Sequence, residues 1–233
     1  MSAKVLHSVN WSRQRIGGVL VLLFVLVVAG IPLINRRNDP PPGQLAGTPG
    51  LVHERVSALR SAMLRLEQTR TSAEDQDRAF FATCKAMDEL AELHAEAAPG
   101  VPLIAGVLSG PERHDRSGDT SLRARADSAL RRIGKPAVEA AVALLNHKDA
   151  QVRSLAALTL SAWASRRTML PADIPMSDLQ IAVPALKNAL SGETDELTQG
   201  DLRFALHDVS REEALKLGIR YPASDESSEN KGR

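Results

Sequence analysis

The segments VPLIAGVLSG (101–110) and VPALKNALSG (183–192) begin and end with the same residues at the same spacing. Between them, VEAAVALLN (138–146) repeats the same arrangement of apolar side chains. Repetition of this kind is typical of proteins built from stacked helical units, because one such unit cannot bury its own apolar face. The sequence therefore predicts a stack of similar helix pairs.

Other segments supply the first helix of each pair. The apolar positions Leu122, Ala126 and Leu130 recur thirty residues later in the chain, at the spacing that places side chains on one face of a helix. First helices are predicted at 122–133, 152–163 and 196–209. Second helices are predicted at 101–108, 137–145, 179–190 and 211–219. Fully apolar residues such as Leu145 and Leu160 are expected to be buried between the layers of the stack.

Two acid–arginine pairs occur at predicted starts of first helices. Asp119 precedes Arg123 by four residues, and Asp149 precedes Arg153 by the same distance. Both acids are suitable N-cap residues, and the pairs can form a ladder between units. We therefore expect both arginines to have structural roles.

Residues 16–34 contain no charged or strongly polar side chain. About 20 such residues in a helix span the hydrocarbon core of a bilayer, so we expect one transmembrane helix at 16–34, preceded by a basic segment at 1–15. A cleaved signal peptide and a buried core helix are the alternatives. Apolar sequence continues beyond the candidate cleavage site at Ala29, which favours an uncleaved anchor. The excess of positive charge before the span favours a single-pass cell-membrane protein with an extracytoplasmic C-terminal domain.

The remaining chain divides by composition. Residues 35–50 are rich in Pro and Gly and predict a linker. Residues 51–70 predict an amphipathic helix, which either caps the repeats or mediates weak self-association as a coiled coil; fewer than three heptads favours the cap. The repeat domain is predicted at 71–220, and its first helix, with a capping-box start at Ser72, is expected to end near Pro99. Residues 221–233 are predicted to form a disordered tail.

LRRIGKPAV (130–138) and DAQVR (149–153) resemble the HEAT-like repeats of bacterial proteins, a family that includes the repeats found in phycobilin lyases. The resemblance is strongest over 121–165, weaker at 101–110 and 179–192, and absent before residue 72. It implies an all-α fold, here a short right-handed α-solenoid of antiparallel helix pairs after one N-terminal transmembrane helix. The usual work of such solenoids is to bind other proteins.

The sequence contains no recognisable catalytic or metal-binding pattern. The six histidines have no metal-ligand spacing. Some HEAT-like hydroxylases bind iron through repeated His-Glu pairs, but the one such pair here, His53-Glu54, precedes the repeats. The single cysteine, Cys84, excludes an internal disulfide and lies on an apolar helix face, which predicts a buried thiol. We therefore expect a non-catalytic protein that binds no cofactor or metal.

Two surfaces are candidates for binding a protein partner. Second helices normally line one curved face of a solenoid, which makes Glu139 and Lys187 candidate contacts. Alternatively, Arg125 and Arg132 belong to a basic band over 123–167 that could face an acidic partner or anionic lipid, unless its cations only balance helix C-termini. The net charge of +1 does not favour nucleic acid.

The favoured function is that of a membrane-anchored protein-binding scaffold. The alternative is an enzyme or enzyme accessory with HEAT-like repeats, such as a chromophore-attachment lyase. Polar side chains that converge in one deep pocket would favour the enzyme, and an open curved face would favour the scaffold.

Overall fold

The computed structural model describes residues 49–69, 72–165 and 174–221, and in these ranges the fold is all-α. The predicted transmembrane helix at 16–34, the basic segment at 1–15, most of the linker and nearly all of the tail lie outside the described residues. In the part of the chain that the structure describes, no helix has both the length and the apolar character needed to cross a membrane.

The described ranges contain ten α-helices, which we number in chain order: α1 (Pro49–Gln68), α2 (Ala73–Ala91), α3 (Val101–Ser109), α4 (Leu122–Ile133), α5 (Val138–Leu144), α6 (Ala150–Ser165), α7 (Met176–Leu179), α8 (Ala182–Gly192), α9 (Glu196–Val209) and α10 (Arg211–Lys216). Two 3-10 segments, His94–Gly100 and Lys135–Ala137, precede α3 and α5. The predicted positions of α4 and α9 are confirmed.

The helices pack in two rows. The first row consists of α1, α2, α4, α6 and α9, each in contact with the next in that order. The second row consists of α3, α5 and α8, and its members pack on α4, α6 and α9 respectively. Consecutive helix pairs along the chain therefore become neighbouring layers in space.

Side-chain hydrogen bonds show the relative direction of α4 and α6. Thr159 of α6 donates to Asp127 of α4, and Trp163 Nε1, four residues further along α6, donates to the carbonyl of Arg131 at 3.1 Å. Arg131 also lies four residues after Asp127. Contacts that advance together along both helices mean that α4 and α6 run parallel.

The contacts between α6 and α9 also advance in the same direction along both helices, here in steps of seven residues. Ser154 donates to Asp201 at 2.5 Å, and Ser161 donates to Asp208 at 2.6 Å. Each partner advances by seven residues, which is two helical turns. Successive first-row helices from α4 to α9 are therefore parallel.

One apolar core runs between the rows. Leu145 and Leu160 are both 0% exposed, which confirms their predicted burial. At the N-terminal end of the first row, Leu59 of α1 is also fully buried, and Met63 packs against the same core. The apolar face of α1 thus contacts the rest of this chain, as expected of a capping helix. Cys84 is buried as predicted, and burial raises the pKa of its thiol to about 11.

Several predicted boundaries need correction. Helix α1 includes Pro49 and Gly50, which the sequence placed in the linker. Helix α2 starts after its N-cap Ser72 as expected, since the Ser72 Oγ accepts from the Asp75 N–H at 3.0 Å. It ends at Ala91 rather than near Pro99, because His94 adopts a φ of 48° and the chain turns into a 3-10 segment.

The N-cap of α4 is Ser121 and not Asp119, since the Ser121 Oγ accepts from the Ala124 N–H at 3.2 Å. The Leu122 N–H is held by the carbonyl of Arg113 at 2.9 Å, which fixes the extended approach to the helix and moves its start past Asp119. The equivalent prediction for Asp149 is confirmed, because its Oδ1 accepts from the N–H of residue 151 at 3.0 Å.

The helix predicted over 179–190 starts later, at Ala182, and Leu179 instead ends the short helix α7. Pro184 has no N–H to donate to the carbonyl of Gln180, four residues earlier. That carbonyl accepts instead from the Val183 N–H at 3.2 Å, a tighter turn that separates the two helices. Helix α8 then starts at Ala182.

Candidate binding surfaces

The outward side of the second row forms a surface that we call the second-helix face. It is defined by six of the exposed residues of α3, α5 and α8, namely Pro102, Gly106, Glu139, Ala143, Pro184 and Asn188. These side chains are small or short, and Glu139 is the one charged residue among the six. The second-helix face can therefore approach a partner closely at a low desolvation cost.

Glu139 and Lys187, the two residues predicted for this face, have different surroundings. Glu139 is exposed near the start of α5. Lys187 is half-buried, and its Nζ lies 2.6 Å from Glu213 Oε2 on α10. The hydrogen bond from Lys187, together with one from Lys216, lowers the pKa of Glu213 to about 2. Lys187 therefore connects α8 to α10, and Glu139 has the more accessible charge.

The structure brings Arg125 and Arg132 together beside the acidic residue Asp88 of α2. The Arg132 guanidinium contacts Asp88 at 3.1 Å and also pairs with Glu92. The Arg125 Nη1 lies 3.9 Å from the other oxygen of Asp88. Acidic groups within the chain thus partly neutralise this section of the basic band.

Arg123 has the structural role expected from the sequence. It is 5% exposed, and its Nη2 lies 2.7 Å from both Asp149 Oδ2 and the carbonyl of Gly110. Its Nη1 donates to the side chain of Gln151 at 2.9 Å. Arg123 thereby links the layer that begins with α4 to the layer that begins with α6.

Arg153 repeats this role one layer later. Its Nε and Nη2 donate to the two oxygens of Glu193 at 2.6 and 2.7 Å, and its Nη1 donates to the carbonyl of His147 at 2.7 Å. The hydrogen bonds from Arg153 hold the pKa of Glu193 at about 2, although its side chain is fully buried. A ladder between layers is present, but each arginine pairs with an acid of a later segment, Arg123 with Asp149 and Arg153 with Glu193, rather than with the acid four residues before it.

Asp127 is a buried acid that the sequence pattern did not single out. It is 8% exposed, accepts from Thr159, and pairs with Arg131 through contacts of 3.0 and 2.8 Å. Burial raises the pKa of Asp127 against the opposing effect of Arg131. The four-residue spacing of Asp127 and Arg131 was the available signal, but it does not distinguish a buried pair from an exposed one.

Two clefts in the described part of the chain each have a volume above 400 Å³, enough to admit a small molecule. One has a volume of 490 Å³ and carries charges of both signs, with Arg113 and Arg116 among its residues together with Glu67 and Asp77. The Arg113 guanidinium donates to the carbonyl of Leu66 at 3.0 Å and so closes the end of α1. The other cleft has a volume of 440 Å³ and lies between α8, α9 and residues 217–219.

Within the described ranges, no group of three or more His, Cys, Asp or Glu side chains is placed to hold a metal ion. In comparisons with known proteins, no protein-family model matches the chain, and no curated protein matches it.

Proposed function

We propose that this protein is a membrane-anchored, non-catalytic scaffold that binds another protein through a short right-handed α-solenoid of HEAT-like helix pairs. The observation that carries the proposal is the packing of the helices in two rows. Helices α4, α6 and α9 of the first row run parallel to one another. The second row consists of α3, α5 and α8. Repeated layers of this kind present an extended surface, which suits recognition of a protein.

The second-helix face is the binding surface in this proposal. Its small side chains allow a partner's apolar groups to reach the helices closely, and Glu139 can pair with a cation at one place on it. By contrast, Arg125 and Arg132 already face Asp88. An acidic partner at the basic band would therefore compete with ion pairs inside the chain, and it would gain less from the contact.

The anchor completes the proposal. Residues 16–34 would span the cell membrane once, and the chain after them would lie on the extracytoplasmic side. This follows from the length of the apolar run and from the charges that flank it. Nucleic acid is not proposed as a partner, because the net charge of the chain is only +1.

Chemical crosslinking of the intact chain in its native membrane, followed by identification of the captured protein, would name the partner. The discriminating step compares capture by Glu139→Lys with capture by Arg125→Glu, both of which change an exposed charge. We expect Glu139→Lys to lower the yield about tenfold, which corresponds to about 1.4 kcal/mol, and Arg125→Glu to leave it unchanged.

Circular dichroism of both variants would confirm that the helices are intact. The reverse result, with capture lost only in Arg125→Glu, would move the binding site to the basic band. Equal capture by both variants and the parent protein would contradict a role for Glu139 on the second-helix face.

A further inference from the structure

Helix α9 has an outward stripe that no other described helix covers. Its buried side consists of Thr198, Leu202, Ala205, Leu206 and Val209. On the opposite side, Glu196, Leu197, Gly200 and Arg203 are exposed and Phe204 is half-buried. Leu197 is 81% exposed, more than any other large apolar side chain in the described residues. A single exposed apolar side chain is ordinary on a protein surface, so the inference depends on the residues that surround Leu197 on α9.

Gly200 lies in the middle of this stripe. A glycine inside a helix is about 1 kcal/mol less favourable than alanine. A Cβ added at Gly200 would meet nothing within 4 Å, so packing within the described chain does not require a glycine there. The absence of a side chain instead allows the backbone of a second helix to come close.

The stripe is complementary to the same stripe on a second, antiparallel copy of α9. Glu196 and Leu197 lie four and three residues before Gly200, and Arg203 and Phe204 lie three and four residues after it. A second α9 that crosses the first in the antiparallel direction at Gly200 would place Glu196 opposite Arg203 and Leu197 opposite Phe204. The same two pairs form twice, which is the property of an interface with two-fold symmetry.

Arg203 and Phe204, at the C-terminal end of the stripe, are accessible to these contacts. Within the described residues, the Arg203 guanidinium makes a 3.5 Å hydrogen bond to Gln199 and remains exposed to solvent. The Phe204 ring packs edge to face with Tyr221 at a centroid distance of 5.7 Å. This ring pair would give the exposed Leu197 of a second copy an aromatic surface to cover.

We propose that two copies of this protein associate through an antiparallel contact between their α9 helices, centred on Gly200. This inference is independent of the proposed scaffold function, because α9 belongs to the first row and the second-helix face stays open. It also differs from a coiled coil through residues 51–70, since Leu59 of α1 is already buried within the chain.

Cysteine crosslinking of the full chain in its native membrane tests the proposal. Gly200→Cys places a thiol at the symmetry axis, where a disulfide needs a Cα–Cα separation of about 4.4–6.8 Å. Ser128→Cys, at an exposed position on α4, is the matched control, and Cys84 is buried in both proteins. Under mild oxidation we expect Gly200→Cys to form at least about ten times more covalent dimer than Ser128→Cys, corresponding to about 1.4 kcal/mol.

Charge reversal in the Gly200→Cys protein tests the pairing itself. Glu196→Arg alone or Arg203→Glu alone should lower the dimer yield, because like charges would then face each other across the axis. The two changes together should restore it. Equal yields from Gly200→Cys and Ser128→Cys, failure of the double reversal to restore the dimer, or a crosslink to a different protein would each overturn the proposal.

Discussion

Replacement of Leu160 by alanine tests the packing of the layers most simply. Leu160 lies in α6, which is flanked by α4 and α9, and its side chain is 0% exposed. The change removes three buried carbon atoms, which costs about 2.4 kcal/mol at roughly 0.8 kcal/mol for each. Because helices on both sides restrict collapse of the site, a remaining cavity of about 60 Å³ would add about 1.4 kcal/mol. We therefore expect a loss of about 4 kcal/mol in the free energy of unfolding.

Urea unfolding of the full chain, followed by tryptophan fluorescence with Trp11 replaced by phenylalanine in every protein compared, measures this loss. Trp163 lies in the same helix, is 4% exposed, and donates its Nε1–H to the carbonyl of Arg131, so its emission reports the contact between α4 and α6. Leu158→Ala is the matched control. Leu158 lies on the other side of α6 and is only half-buried, so its replacement should cost about 1 kcal/mol. Equal losses for the two variants would refute the reasoning.

Three further predictions concern the ladder, the turns and the anchor. The pKa of Glu193 is lowered from its ordinary value of 4.5 to about 2 in the folded protein. The stability that ionised Glu193 contributes is therefore complete above pH 4.5 and is lost as the pH falls towards 2. Glu193→Gln should be less stable at neutral pH, and its acid unfolding should lack this loss. Gly134 has a φ of 80°, so Gly134→Ala should reduce thermal stability by about 1–3 kcal/mol, whereas the same change at Gly106, in helix α3, should not. Deletion of residues 1–48 should release a soluble helical domain, and a truncated protein that sediments with lipid vesicles would contradict the proposed division between anchor and binding domain.

The sequence predicted the positions of the helices better than it predicted their ends and the contacts between them. Apolar spacing located α4 and α9 and the buried positions Leu145 and Leu160, because burial of one helix face leaves a direct periodic trace in the chain. Helix ends were less predictable. Ser121 replaces Asp119 as the N-cap of α4 because the Leu122 N–H bonds the carbonyl of Arg113, which is a three-dimensional detail. The start of α8 at Ala182 follows from the missing N–H of Pro184, which the sequence does contain.

The candidate surfaces were predicted only in part. The sequence identified Arg132 as a band residue but could not show that Asp88, forty-four residues earlier, would lie beside it. Likewise, the ladder was expected from Arg153, while its acceptor Glu193 belongs to no repeated motif. Ion pairs between layers depend on which helices become neighbours, and periodicity within one helix carries no such information.

The central claim is that a protein partner binds the second-helix face. Site-specific photo-crosslinking tests it most directly, with a photoreactive amino acid placed at Ala143 or Asn188 on that face, or at Ser128 on α4, in the full chain within its native membrane. We expect Ala143 and Asn188 to give an adduct of the same mass and Ser128 to give none. An adduct from Ser128 alone, with neither position on the second-helix face crosslinked, would contradict the claim.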